Sequence, residues 1–354
     1  MDPTDPVVVG IMYPPAWEAR PAEALAADLD LLRAVDPRVE VVDVRYVDPD
    51  ALRTARGADP RADLRAEAPP LTDEQHAALA RVEVVITQDL PFDVGRLAPN
   101  LRWVQGMGAG VSQLLSAGLD DAGITLTSAA GVNAVSISEF VLARLLQVWK
   151  RLPEIDALQQ AGEWRPTYGT EVAGSTAVVV GLGAIGREVA RRLRALGMTV
   201  LATRRTATAG QGDPDVDELL PPERLAEALA RADAVVAAVP ETAATTDLFD
   251  GAAFAAMKPG AVFVNVGRGS AVDEEALAAA LRDGHLRAAA IDVVRDEPLA
   301  AGHPLWAVPN LLISPHSATS PDRFWENLHA LFRDNLRRHL AGEPLRNLVD
   351  TARG

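Results

Sequence analysis

Read from the N-terminus, the chain alternates short apolar runs with longer stretches in which apolar residues recur every three or four positions. Val7–Met12 carries no charge and closes on Pro14-Pro15, the pattern of a buried strand. Ala22–Val35 places Leu25, Leu29 and Leu32 on one helical face, and Val39–Val44 reads as a second strand. Residues 54–72 are rich in Arg, Asp, Ala and Pro without a period, which predicts an exposed loop. A helix over Asp73–Ala80 leads to strands at Val82–Thr87 and Leu101–Gln105. Asn133–Arg151 is a long helix with Ile137, Val141, Leu145 and Val148 along one side, and Pro153 is expected to end it.

The alternation then restarts. Strands are predicted at Thr176–Val180, Thr199–Thr203, Ala234–Ala238, Ala261–Val264, Ala288–Ile291 and Leu311–Ser314, with helices at Ala184–Leu196, Glu223–Ala230, Asp273–Leu281 and Pro321–Leu340. Strands that are apolar throughout, separated by helices, belong to parallel sheets covered on both faces. The pattern therefore predicts an α/β protein with two wound units in tandem, the first smaller.

Composition narrows the function. A chain of 354 residues is long enough for two domains with cores of their own. It has no cysteine, which removes disulfides, thiolate metal sites and a thiol nucleophile. Met1-Asp2-Pro3-Thr4-Asp5-Pro6 is acidic and proline-broken, unlike a secretory leader, and no apolar run approaches the ~20 residues that span a bilayer. A cytoplasmic protein without a membrane partner is expected. The 34 basic and 49 acidic residues leave a net charge of −15, against a nucleic-acid partner. A small anionic substrate stays open, because a few local arginines can dominate a site. No His and carboxylate spacing suggests a metal.

Val178-Val179-Val180-Gly181-Leu182-Gly183-Ala184-Ile185-Gly186 is a strand entering a Gly-x-Gly-x-x-Gly turn that opens a helix. Gly181 allows the tight turn, Gly183 lets the backbone approach a pyrophosphate, and Gly186 lets helix and strand pack closely. The helix start offers unpaired N–H groups and a positive dipole end to phosphate. An acidic residue usually ends the next strand in an NAD site and holds the ribose 2′-hydroxyl. Here the segment is Thr203-Arg204-Arg205-Thr206. Guanidinium groups bind a 2′-phosphate that a carboxylate would repel, so NADP(H) is the expected cofactor, with NAD(H) possible. The competing view is a solvated basic turn in an arginine-rich protein.

Three further segments follow at predicted strand ends, where ligands bind in open parallel sheets. They are Asn265-Val266-Gly267-Arg268-Gly269-Ser270 with Val272-Asp273, Ile291–Leu299 with Asp292 and Glu297-Pro298, and Ser314-Pro315-His316-Ser317-Ala318. With the glycine turn, these motifs resemble the D-isomer-specific 2-hydroxyacid dehydrogenase family, in order from Trp103 to about His316. That group includes glyoxylate/hydroxypyruvate reductases, D-lactate and phosphoglycerate dehydrogenases and formate dehydrogenase.

The resemblance implies two doubly wound parallel-sheet domains: a Rossmann-type cofactor domain, residues 129–320, inserted into a smaller flavodoxin-like substrate domain, residues 1–128 plus 321–354. It implies a catalytic set of Arg268, Glu297 and His316. Arg268 can bind a substrate carboxylate and polarise the carbonyl, His316 can deliver the proton, and Glu297 can hold the His ring and favour its charged form. Gly108, Ala109 and Gly110 resemble the family's carboxylate loop and complete a substrate set with Arg268 and His316. Val239, Pro240 and Thr245 resemble the loop beside the nicotinamide ribose. Val266, Gly267, Asp292 and His316 complete the cofactor contacts. The other histidines, His76, His285, His303, His329 and His339, read as surface or packing residues.

Gly162-Glu163-Trp164 resembles a segment near the pocket or a dimer interface, although Trp164 could equally be core. A homodimer is implied, with the Asn133–Arg151 helix in the interface. The expected activity is reduction of small 2-keto acids of the glyoxylate or hydroxypyruvate type to D-2-hydroxy acids. The alternatives are an NAD-linked dehydrogenase working oxidatively and a dinucleotide-sensing, corepressor-like binding protein. Two departures from the family's commonest pattern stand out. Arg204 replaces the ribose-binding acid, and Ser317-Ala318 follows His316 where an Ile-Gly type is frequent.

Overall fold

The computed structural model of the chain describes residues 5–18, 20–208 and 210–351. Met1–Thr4, on which the reading of the N-terminus partly rests, lie outside that set. The chain forms two compact units. One runs to Val132 and resumes at Pro321; the other is Asn133–Ser320.

The first unit is a five-stranded parallel sheet in the order β2-β1-β3-β4-β5. Its strands are β1 (Val7–Ile11), β2 (Val39–Asp43), β3 (Val84–Thr87), β4 (Trp103–Gly106) and β5 (Thr125–Thr127). Alternate residues feed separate cores on the two faces: Val8, Val85, Val104 and Leu126 on one, Val9, Ile11, Ile86 and Trp103 on the other. That two-sided burial is why the strands read as unbroken apolar runs. The helix Pro321–Ala341 lays Trp325, Leu328, Phe332 and Leu336 into the second core. Ala129 and Val132 pack there too, which carries this unit past Ser128.

The loop expected over residues 54–72 is not all loop. Asp50–Ala58 is a helix, and a short 3-10 turn follows at Arg65–Glu67. The helix buries Leu52 and Arg56. Arg56 is 1% exposed, pairs with Asp48, donates to Ser116 Oγ and Leu90 O at 2.7 Å each, and lies over the Phe92 ring. A buried guanidinium stands where the period needs an apolar residue, and that hides the helix from pattern reading.

The second unit is a seven-stranded parallel sheet in the order β12-β11-β10-β9-β6-β7-β8. The strands are β6 (Thr176–Val180), β7 (Thr199–Thr203), β8 (Glu218–Leu220), β9 (Ala234–Ala237), β10 (Ala261–Asn265), β11 (Leu286–Ile291) and β12 (Leu311–Ile313). The strand order reverses beside β6, which lies between β7 and β9, and such switch points are where doubly wound sheets bind ligands. Phe249, Phe254 and Phe263 cluster on one face; Val179, Val189, Leu193 and Val264 fill the other.

The long helix is Ala134–Trp149. Pro153 does not end it. Arg151 turns the chain at φ 56°, and Pro153 sits in the first turn of a new helix, Leu152–Ala161, where its missing N–H costs nothing. The helix expected at Glu223–Ala230 is a 3-10 turn running into a short helix, Leu225–Leu229. Trp164 is 99% exposed, so the core reading of that residue fails. Among the described residues no helix is long and apolar enough to cross a membrane.

Candidate active site

The glycine turn joins β6 to the helix Ala184–Ala195 at the switch point. Gly181 has φ +99°, and a Cβ there would lie 2.6 Å from Ala238 O. A Cβ on Gly186 would run into Gly181 O. Both positions therefore require glycine. The N–H groups of Gly181 and Leu182 donate to Thr203 O at 3.1 Å each, which ties the turn to the end of β7. Around Gly183, by contrast, a Cβ would meet nothing within 4 Å. The backbone is thus open on the side where Ala184 and Ile185 begin the helix.

Arg204, Arg205 and Thr206 follow β7, and Arg205 and Thr206 are exposed. Arg204 is half-buried. Its Nη1 reaches Asp213 Oδ2 at 3.3 Å, and among the described residues its buried Nε has no hydrogen-bond partner. An orphaned guanidinium N–H beside an open glycine turn fits an anionic ligand. Thr245 Oγ1 donates to Pro240 O at 2.7 Å and accepts from Thr242 N at 2.9 Å, closing the loop after β9. Val239 and Val266 are buried, and a Cβ on Gly267 would crowd Val239 O.

The ends of β10, β11 and β12 are in register, Asn265 beside Ile291 and Ile291 beside Ile313. The loops leaving these three neighbours carry Arg268, Glu297 and His316. Asn265 sets the first loop: its Oδ1 accepts from Gly267 N and its Nδ2 donates to Arg268 O, both at 3.0 Å. Arg268 Nη1 donates to Gly267 O at 2.8 Å, and among the described residues Arg268 forms no salt bridge. In a chain whose arginines are so often ion-paired, that leaves this guanidinium available to an external carboxylate.

Glu297 Oε2 lies 2.9 Å from His316 Nδ1, and Glu297 Oε1 accepts from Val294 N at 3.2 Å. The His316 side chain is 53% exposed, and among the described residues its Nε2 has no protein partner. His316 sits at φ 52°, the left-handed region, so the loop must be held by other contacts. Asp292 supplies them. It is 4% exposed, with Oδ1 accepting from Ser314 Oγ at 2.6 Å and Ser317 N at 2.9 Å, and Oδ2 from Ala318 N at 3.0 Å. The carboxylate expected near the nicotinamide also holds the His316 loop, a role its place in the motif does not reveal.

In the other unit, Gly108, Ala109 and Gly110 follow β4 in a bend, with Gly108 half-buried and Ala109 and Gly110 exposed. Among the described residues the N–H groups of Ala109 and Gly110 have no acceptor in the protein. The remaining histidines are mixed. His285 meets Phe254 O and Met257 O, His303 accepts from Leu305 N, and His339 pairs with Glu83. His329 is fully buried against Glu18 and Tyr13, an ion-pair network that a packing assignment missed.

A glycine turn at a switch point and a Glu–His pair at the strand ends fit a dinucleotide-binding protein of the oxidoreductase type. Residues 142–318 match the family described as D-isomer specific 2-hydroxyacid dehydrogenase, NAD binding domain, and the chain belongs to that family. It is 38% identical over 244 residues to an (S)-sulfolactate dehydrogenase of Chromohalobacter salexigens, covering 68% of this chain and 78% of that one. It is 33% identical over 266 residues to a D-3-phosphoglycerate dehydrogenase of Archaeoglobus fulgidus, covering 73% of this chain but only 49% of the relative. The chain thus spans about half the length of that protein. The structure resembles the NADPH-dependent glyoxylate/hydroxypyruvate reductase of Sinorhizobium meliloti solved with NADP and sulfate, with TM-score 0.72, 27% identity and 99% of each chain covered.

Proposed function

We propose that this protein is an NADPH-preferring reductase of small 2-keto acids, with Arg268, Glu297 and His316 as its catalytic set. The observation that carries the reading is the Glu297–His316 pair at 2.9 Å, with the far ring nitrogen of His316 left without a protein partner. A bound nicotinamide supplies the hydride. Arg268 binds the substrate carboxylate with paired hydrogen bonds and draws electron density toward the carbonyl oxygen. His316 delivers a proton from Nε2 to that oxygen, while Glu297 on Nδ1 fixes the ring orientation and stabilises its charged form. In the oxidative direction the same nitrogen takes the proton back. Ala109 and Gly110 offer backbone N–H donors to an anionic group. Gly183, Ala184 and Ile185 offer theirs to a pyrophosphate, and Arg204 and Arg205 face the 2′-phosphate.

The relatives' activities set the substrate panel: glyoxylate, hydroxypyruvate, and the 2-keto acids corresponding to sulfolactate and phosphoglycerate. The test is loss of reduced-dinucleotide absorbance with each acid, using NADPH and NADH in turn. Turnover with NADPH and a small keto acid at the higher kcat/KM is expected. Dinucleotide binding without turnover of any acid would point instead to a sensing protein and overturn the reductase reading.

A homodimer in the cytoplasm is part of the same reading. Val135, Leu152, Ile155, Trp164 and Tyr168 are exposed on the segment from Val135 to Tyr168, and a partner subunit would cover them. Light scattering is expected to give twice the mass of the chain, and a monomeric mass at micromolar concentration would reject the dimer.

A further inference from the structure

Asp213 lies in the segment after β7, between Arg204 and the phosphate-facing helix. Its carboxylate is buried and takes four hydrogen bonds. Arg187 donates to both oxygens at 2.9 Å, Arg204 Nη1 reaches Oδ2 at 3.3 Å, and Asp215 N donates to Oδ1 at 3.1 Å. Arg187 belongs to the first turn of the helix that opens at the glycine turn, its N–H bonded to Gly183 O at 3.0 Å. Arg187 also pairs with Asp215 at 2.6 Å, and Arg191 reaches the same Asp215 at 2.8 Å. One carboxylate therefore connects the helix start to the first residue past β7.

The two arginines hold Asp213 unequally. Arg187 makes the parallel two-bond contact that neutralises a carboxylate best. The hydrogen bond from Arg187 keeps the Asp213 carboxyl below its usual range against the opposing effect of burial. Arg204 makes one long contact, and its buried Nε has no acceptor. It is oriented without being consumed. A guanidinium fixed by one edge, with 24% of its side-chain surface still open, is prepared for an anion and has lost part of its rotamer freedom in advance.

We infer that Asp213 is a positioning residue for dinucleotide selectivity: it holds Arg204 in the orientation that receives the 2′-phosphate, using Arg187 of the glycine-turn helix as its anchor. The inference rests on the proposed NADPH preference. It also explains how an acidic residue can stand beside a 2′-phosphate site without repelling the ligand, since its charge is already balanced by Arg187.

The experiment measures dissociation constants of NADPH, NADH, 2′,5′-ADP and 5′-AMP for the full chain, by fluorescence titration, with thermal melts as a folding control. The proteins are the unaltered chain, Arg204→Ala, Asp213→Ala, Asp213→Asn and the Arg204→Ala/Asp213→Ala pair. Asp213→Ala is expected to weaken NADPH and 2′,5′-ADP by about 5- to 10-fold, the scale of a charge-assisted contact. NADH and 5′-AMP should change less than about twofold, and the double variant should bind NADPH no more weakly than Arg204→Ala alone. Should Asp213→Ala not fold, Asp213→Asn is expected to give a smaller loss confined to the 2′-phosphorylated ligands.

Equal weakening of all four ligands, or of none, would reduce Asp213 to packing and overturn the inference. Stronger loss for NADH and 5′-AMP would mean that Asp213 itself holds a ribose hydroxyl. Tighter NADPH binding in Asp213→Asn would make the carboxylate a brake, not a support. A preference for NADPH that Arg204→Ala abolishes and Asp213→Ala leaves alone would sink this inference while sparing the cofactor reading. No preference in the unaltered chain would sink both.

Discussion

Among the described residues three Glu–His pairs occur, and two of them have nearly the same length and opposite setting. Glu297 and His316 meet at 2.9 Å on strand-end loops, with side chains 38% and 53% exposed. Glu18 and His329 meet at 3.1 Å in the first unit, with side chains 2% and 0% exposed. The buried pair is crowded. Tyr13 donates to Glu18 at 2.7 Å, Arg20 adds an ion pair, and His329 Nε2 is shared between Glu18 and the Tyr13 hydroxyl. Among the described residues its other ring nitrogen is buried without a partner. The exposed pair uses one ring nitrogen, and the ring stays open to solvent. Distance alone therefore does not make a pair fit for proton transfer. That also requires a ring nitrogen on a reachable face.

The comparison breaks most visibly at His316. His316→Ala is expected to lower kcat by ~10²–10⁴-fold with dinucleotide affinity and melting temperature unchanged, read by steady-state kinetics beside titration and a thermal melt. His329→Ala should do the reverse. Glu18 keeps Arg20 and Tyr13 but loses a buried hydrogen-bond partner, so unfolding free energy should fall by about 1–3 kcal/mol while kcat per folded molecule holds. Chemical denaturation measures the first and an active-site-normalised assay the second; a kcat loss in His329→Ala as large as in His316→Ala would erase the distinction. Glu297→Gln should be milder, about tenfold in kcat or more, because the amide keeps an acceptor for the ring but loses the charge. A pH–rate profile of that variant should move, which a packing defect alone would not cause.

The smallest effect is a pH slope. Burial pushes the Glu18 carboxyl up, but hydrogen bonds from His329, Arg20 and Tyr13 outweigh it and hold the carboxyl below its ordinary value. A group depressed in the folded state contributes stability above its unfolded-state pKa, about 4 for Glu, and loses it as pH falls through the folded value. Stability should therefore drop on acidification below about pH 4, and Glu18→Gln should flatten that drop. An unchanged slope in denaturation curves would remove Glu18 from the cause.

Much of this site was legible from spacing. The glycine turn, Arg204, Arg268, Glu297 and His316 each follow an apolar strand, and a parallel sheet brings strand ends to one edge. What spacing hid was the support. Asp292 reads as a ligand-facing acid, and spacing did not show that its oxygens also hold the loop of His316. Asp213 lies in a polar stretch with no period, and only the fold sets it against Arg187 and Arg204. The Asp50–Ala58 helix was lost for a related reason, since its inward face includes a buried arginine paired across the chain. Trp164 could be core or surface by composition, and it is surface.

By itself the sequence determined the fold class, the family and the residues proposed for catalysis, because strand periodicity and glycine requirements are local and act through nearest neighbours. The tertiary structure decided which Glu–His pair is buried and which is exposed on the strand-end loops, and which carboxylates serve a neighbouring side chain. Those outcomes depend on burial and on partners distant along the chain, such as His329 and Glu18, and no local pattern encodes either.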